Sequence, residues 1–184
     1  MTQITEVKDE SELQAEFDKM MKKLSRVLSG PYVTNVGVLG SSSSRPESGI
    51  DNAGLGLVHE FGRVTKEPKI PARSWLRMPI IHKSKMILKA VSNQQRSIEQ
   101  AFEKEDGEKV FQILGLACES AIQEAFDSNG FGTWAPNSKL TVEGGWAVNK
   151  KSGKPFFTKG KKSTTPLIDT GEFRQSVISV VKRK

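Results

Sequence analysis

One cysteine, two histidines and one tyrosine in 184 residues leave little room for several kinds of chemistry. The lone Cys118 has no partner for an internal disulfide, so cysteine usage gives no sign of an oxidising compartment. The histidines are His59 and His82. A zinc-protease helix needs a second histidine four residues after the first, and here that position holds Arg63. His59-Glu60 therefore reads as structural, and no metal or cofactor is expected. No run approaches the roughly 20 apolar residues needed to cross a bilayer, so no membrane partner is expected. The opening residues MTQITEVKDESELQ are acidic and lack the apolar segment of a signal peptide. Apolar residues make up 36% of the chain, below the globular average, which predicts a modest core within a single domain over 1–184.

Charge is plentiful but uneven. The net charge is +7. Residues 1–62 hold 6 Lys/Arg and 9 Asp/Glu, or −3; residues 63–138 hold 11 and 9, or +2; residues 139–184 hold 11 and 3, or +8. The basic quarter suits phosphate, an acidic protein surface, or solubility alone.

Periodicity predicts several helices, two short strands and long loops. Residues 9–29 carry Leu13, Phe17, Met20, Leu24 and Val27 at spacings of three and four, an amphipathic helix stopped by Gly30-Pro31. YVTNVGVL (32–39) alternates as a strand. The serine-rich stretch at 40–50 reads as a solvated loop; Ser41–Ser44 suggest a nucleophile or phosphosite only weakly. Residues 51–61 predict a short helix capped by Asp51 or Asn52, ended by Gly62 in positive φ. Pro68 and Pro71 keep the following loop extended. Trp75, Met78, Ile81, Ile87, Leu88 and Val91 predict a long helix over 75–100, with Pro79 near its start or at a kink. Residues 108–127 show the widest apolar face, with Cys118 buried on it. The 129–165 stretch lacks clear periodicity and reads as an extended basic arm that orders on a partner. Its interface residues are Trp134, Trp146, Lys150, Lys151, Phe156, Phe157, Lys161 and Lys162. A helical turn at 172–175 and a closing strand at 176–181 complete the chain.

Asp169-Thr170-Gly171 has the letters of an aspartic-protease triplet. Those enzymes pair two carboxylates, and a second copy would have to come from a dimer. The simpler reading is that Asp169 or Thr170 caps the helical turn. The Lys-rich arm at 139–162 with its aromatics also has the composition of a single-strand nucleic-acid binder.

Five segments taken in order carry a resemblance: VGVLG (36–40), NAGLGLVHEFG (52–62), IPARSWLR (70–77), TWAPNSKLT (133–141) and PLIDTGEFRQSV (166–177). Together they resemble the tail-completion and head–tail joining proteins of tailed bacteriophages. Asn137 stands where that family usually has Leu, and Phe173 stands at another Leu position. In other branches the Asp-Thr-Gly motif precedes the Glu-Phe-Gly motif, whereas here it follows. The resemblance implies an α+β fold, an antiparallel sheet packed by several helices with long loop arms, and a non-enzymatic virion protein, assembled in the bacterial cytoplasm as a ring, commonly a hexamer, at the neck. Its implied partners are further copies of itself, the head-side connector, and tail tube or sheath proteins, with sequence-independent DNA contact in the channel. The resemblance and the residue pattern together make Glu60, Phe61, Gly62, Arg73, Trp75, Asp169, Gly171 and Arg174 the assembly-bearing framework. Within it Arg73 is expected to pair with a carboxylate, Glu60 first. The remaining alternatives are a nucleic-acid-binding accessory protein and, more remotely, a dimeric aspartic protease using Asp169.

Overall fold

A computed structural model of the chain describes residues 11, 14–15, 18–19, 22, 25–26, 29–44, 49–65, 69–149, 152–161, 163–168 and 171–184. The apolar stripe expected on a helix over 9–29 lies outside them, as do Pro68, Lys150, Lys151, Lys162, Asp169 and Thr170.

The chain is α+β. Strand β1 (Tyr32–Val38) pairs antiparallel with the closing strand β4 (Val177–Arg183). The alternation of β1 decides its faces. Tyr32, Thr34, Val36 and Val38 share one side, opposite Val181, Ser179 and Val177 of β4. That side packs on the longest described helix, α5 (Gly107–Asp127). Thr34 Oγ1 donates to the Phe111 carbonyl at 2.8 Å, fixing the helix over the strands. Most of the apolar face that periodicity predicts for α5 is buried, namely Ile113, Ala117, Cys118, Ala121, Ile122, Ala125 and Phe126, whereas Val110 is half-buried and Leu114 is exposed.

Helix α1 (Asn52–Phe61) starts where Asp51 accepts a hydrogen bond from Gly54 N–H at 2.7 Å, a side-chain N-cap. It ends at Gly62, with φ of 73°, where a Cβ would lie 2.8 Å from the Ala72 nitrogen. Arg63 and Ile70 then exchange backbone hydrogen bonds at 2.8 and 2.9 Å, closing the base of the 63–70 loop. Between β1 and α1, Gly40–Ser43 forms a 3-10 turn tied down by Ser43 Oγ donating to Asp51 at 2.6 Å.

The single helix expected over 75–100 is three: α2 (Arg77–His82), α3 (Ser84–Ser92) and α4 (Gln95–Glu103). Lys83, at φ −113° and ψ 26°, breaks the first junction, and Asn93-Gln94 the second. The breaks let three short helices wrap around α5, which a straight rod could not do. Pro79 sits in the first turn of α2, where its missing N–H has no helical partner to lose.

The 129–165 region corrects the picture of an aperiodic arm. Helix α6 (Lys139–Glu143), capped by Ser138, leads into a hairpin of β2 (Gly144–Val148) and β3 (Pro155–Lys159). Among the described residues there are thus two separate two-stranded sheets and not one. Helix α7 (Glu172–Gln175) precedes β4.

The core is aromatic. Trp75, Phe126, Trp134 and Phe173 meet with Ile122, Ala125 and Val177. Phe126 lies edge-on to Trp134 and Phe173 at centroid distances of 5.6 and 5.8 Å, and Trp75 to Phe173 at 5.1 Å. Trp134 was expected on the interface arm and is instead buried. After α5, Asn129, Gly130, Phe131 and Gly132 all adopt positive φ, which turns the chain back on itself and lays the indole across the helix end.

Candidate functional site

The junction around Glu60 carries the chemistry that holds the elements together. Glu60 ends α1 on its buried side, only 4% exposed. Its carboxylate accepts five hydrogen bonds: Ser74 Oγ at 2.7 Å, Trp75 N–H at 2.9 Å, Leu76 N–H at 3.0 Å, and Arg77 through N–H at 3.2 Å and Nε at 2.8 Å. A buried carboxylate is costly unless its lone pairs are filled, and here they are. Burial opposes ionisation, but the donors from Leu76, Ser74 and Arg77 outweigh it and hold the carboxyl below its ordinary range. The same carboxylate caps the N-terminal end of α2, which has no side-chain cap of its own. Phe61 is exposed, with the Arg77 guanidinium 4.4 Å above its ring.

The expected Glu60–Arg73 pair does not form. Arg77 takes the carboxylate, and Arg73 turns to the opposite side. There its Nε donates to the Ala135 carbonyl at 2.8 Å and its Nη2 to the Pro136 carbonyl at 3.0 Å. Trp75 is buried at the junction, where its Nε1 donates to the Gly56 carbonyl at 2.8 Å, across the gap a Cβ on Gly56 would fill. Trp134 Nε1 donates to the Ser74 carbonyl at 3.2 Å. Residues 70–77 and 133–141, far apart in sequence, are thus stitched side by side.

A cleft of about 480 Å³ opens beside that seam. It is walled by Leu55 and His59 of α1, Ile70 and Pro71, Asn137 and Ser138, and Leu167, Gly171 and Phe173 of the closing segment. Lys69, Arg73 and Lys161 bring three cationic side chains to it, and no Asp or Glu is among the described lining residues. His59 Nδ1 is buried there without a hydrogen-bond partner among the described residues. Burial, then the nearby Arg73 and Lys161 charges, push the imidazole down to about 4, so it is neutral near pH 7. Gly171 is the N-cap residue of α7, at φ 83°. Arg174 faces away from the cleft, clamping Asp127 through Nη1 and Nη2 at 2.5 and 2.8 Å and Gln123 through Nε at 2.6 Å. That clamp joins α7 to the end of α5.

The hairpin presents the remaining expected residues. Trp146 and Phe157 face each other across the strands with ring centroids 5.6 Å apart. They are 73% and 62% exposed, and Val148 on the same face is exposed as well. Phe156 lies on the other face, and Lys154 and Lys159 flank the strands. The Lys161 N–H donates to the Thr141 carbonyl at 3.0 Å, tying the hairpin's exit to α6. His82 is exposed at the end of α2, remote from any acidic cluster: among the described residues no group of three or more His, Cys, Asp or Glu is placed to hold a metal. No described helix is long and apolar enough to cross a membrane.

Sequence reasoning missed the roles of Ser74, Arg77 and His59. Arg73 and Arg77 are both in reach of a carboxylate on paper, and only the turn at Ser74–Leu76 decides between them. Comparison with protein-family models, with curated proteins and with solved structures gives no match.

Proposed function

We propose that the chain is a structural protein of the bacteriophage virion, forming a ring, a hexamer, at the head–tail junction, where it completes the tail and joins it to the head connector. The observation that carries this reading is the hairpin. An isolated two-stranded hairpin is marginal in water, and this one exposes Trp146, Val148 and Phe157 on one face. Such a face gains stability when a neighbour covers it. A second set of exposed apolar residues, Leu57, Phe61 and Val64, lies on and just after α1. Two different apolar patches on one chain suit a heterologous contact, which closes into a ring when the rotation between copies closes. The ordered sequence segments described above point the same way. Two of them, 70–77 and 133–141, lie together along the Arg73–Trp134 seam. Immunogold labelling of intact virions tests this: label at the neck is expected, and absence of the protein from purified particles refutes it.

A second reading rests on the lysines beside the hairpin aromatics. Lys154 just before β3, Lys159 at its end and Lys161 two residues beyond follow the hairpin aromatics in sequence, a pattern that suits a nucleic-acid backbone with stacked bases. It requires single-stranded DNA affinity that falls steeply with salt and is lost when these three lysines become glutamate.

A further inference from the structure

The geometry points to the Arg73–His59 cleft as a binding site for the C-terminal carboxylate of a polypeptide whose last side chain is apolar. The starting point is Arg73. It is 5% exposed, yet its two hydrogen bonds go to neutral carbonyls, and no described carboxylate pairs with it. A buried guanidinium without a counter-charge is costly, and an incoming anion relieves that cost. Nη1 is left without a described partner, and guanidinium geometry matches a carboxylate.

The second group is His59. Its Nδ1 is buried without a partner among the described residues, and with the ring proton on Nε2 it is an acceptor that nothing described fills. A bare oxyanion satisfies Arg73 and leaves Nδ1 unpaired. A terminal peptide unit offers both complements together, a carboxylate for Arg73 and a neighbouring amide N–H for His59. The third feature is the wall. Leu55, Ile70, Pro71, Leu167 and Phe173 are apolar, a surface for a hydrocarbon side chain and poorly suited to a hydrated phosphate. The backbone already joins the two polar groups, because Arg73 N–H donates to the His59 carbonyl at 2.7 Å. The site is independent of the virion reading: it stands or falls on the cleft alone, whatever the chain assembles into.

The test is an NMR titration of the full chain, labelled in its histidine rings, with three probes: acetyl-Ala-Leu with a free carboxylate, the same peptide as its C-terminal amide, and inorganic phosphate. The expected result is saturable binding of the free acid that moves the His59 ring signals and leaves those of His82 unmoved. The amide and phosphate should each bind at least tenfold more weakly. His59→Leu should weaken the free acid about fivefold, the loss of one hydrogen bond, and Arg73→Gln should abolish binding. Because Arg73 also holds residues 135 and 136, a failure of Arg73→Gln to fold leaves the decision to His59→Leu and the amide probe. Equal binding of acid and amide overturns the proposal, as does preference for phosphate or a free acid that leaves His59 unmoved. So does binding that appears only after Asp169→Asn, which would mean that the chain fills the cleft with its own carboxylate.

Discussion

Glu60 accepts five donors at a site from which water is nearly excluded. Glu60→Gln keeps the shape but replaces one acceptor oxygen with an amide group that points hydrogens at other hydrogens. The expected loss is about 3 kcal/mol, seen as a lower urea midpoint with an unchanged slope. His59 supplies a pH signature. Unfolded, it takes a proton near 6.5; folded, only at about 4. The unfolded chain therefore binds more protons between those values. The stability due to neutral His59 is complete above pH 6.5 and is lost as pH falls toward 4, by up to roughly 1.4 kcal/mol per pH unit. Glu60 acts in the same direction further down. Its folded carboxyl is held below 4.5, so its contribution is present above that value and lost as pH falls. Chemical denaturation across pH 4 to 7 should show this slope in the native chain and a flatter one in His59→Gln.

At the scale of elements, α1 and the Trp75 segment approach as closely as two backbones with one indole between them allow. A Cβ on Gly56 would lie 2.8 Å from the Trp75 ring and 3.1 Å from Phe173. Alanine should help a helix by about 1 kcal/mol, yet here overpacking costs about 1–3 kcal/mol. Gly56→Ala is therefore expected to lower the thermal midpoint, whereas an alanine that merely stabilises α1 would raise it. What could be read from the sequence was local. The Asp51 cap, the alternation of β1, the face of α5, the Gly62 stop and the turn at 172–175 each follow from residues within one or two turns of each other. What could not be read depended on distance. Arg73 chose carbonyls 62 and 63 residues away over the nearby Glu60. Trp134 shares its composition with the hairpin aromatics, but the run of positive φ from Asn129 to Gly132 returns it to the core. The hairpin is local, with Trp146-Ala147-Val148 and Phe156-Phe157 on either side of a turn that Asn149 and Gly153 close with a 2.8 Å backbone hydrogen bond, but the adjacent phenylalanines hide a period of two. The long helix failed at Lys83 and Asn93-Gln94, where wrapping around α5 outweighed a continuous apolar period.

For the whole molecule, a small aromatic core supports a basic hairpin whose apolar face is uncovered within one chain. If that face is made for a neighbour, its residues do little for the isolated fold. Trp146→Ser with Phe157→Ser should then leave the unfolding free energy of the single chain within about 0.5 kcal/mol of unchanged, as for surface sites, while removing assembly. The pairing of the two rings is local to the hairpin and touches neither the Glu60 junction nor the core cluster. Sedimentation velocity with native mass measurement, on the intact chain and on this double variant, tests the ring most directly. The account predicts one closed species of six copies for the intact chain and a folded monomer for the variant. An intact chain that stays monomeric at every concentration, or a variant that assembles as well as the parent, would contradict it.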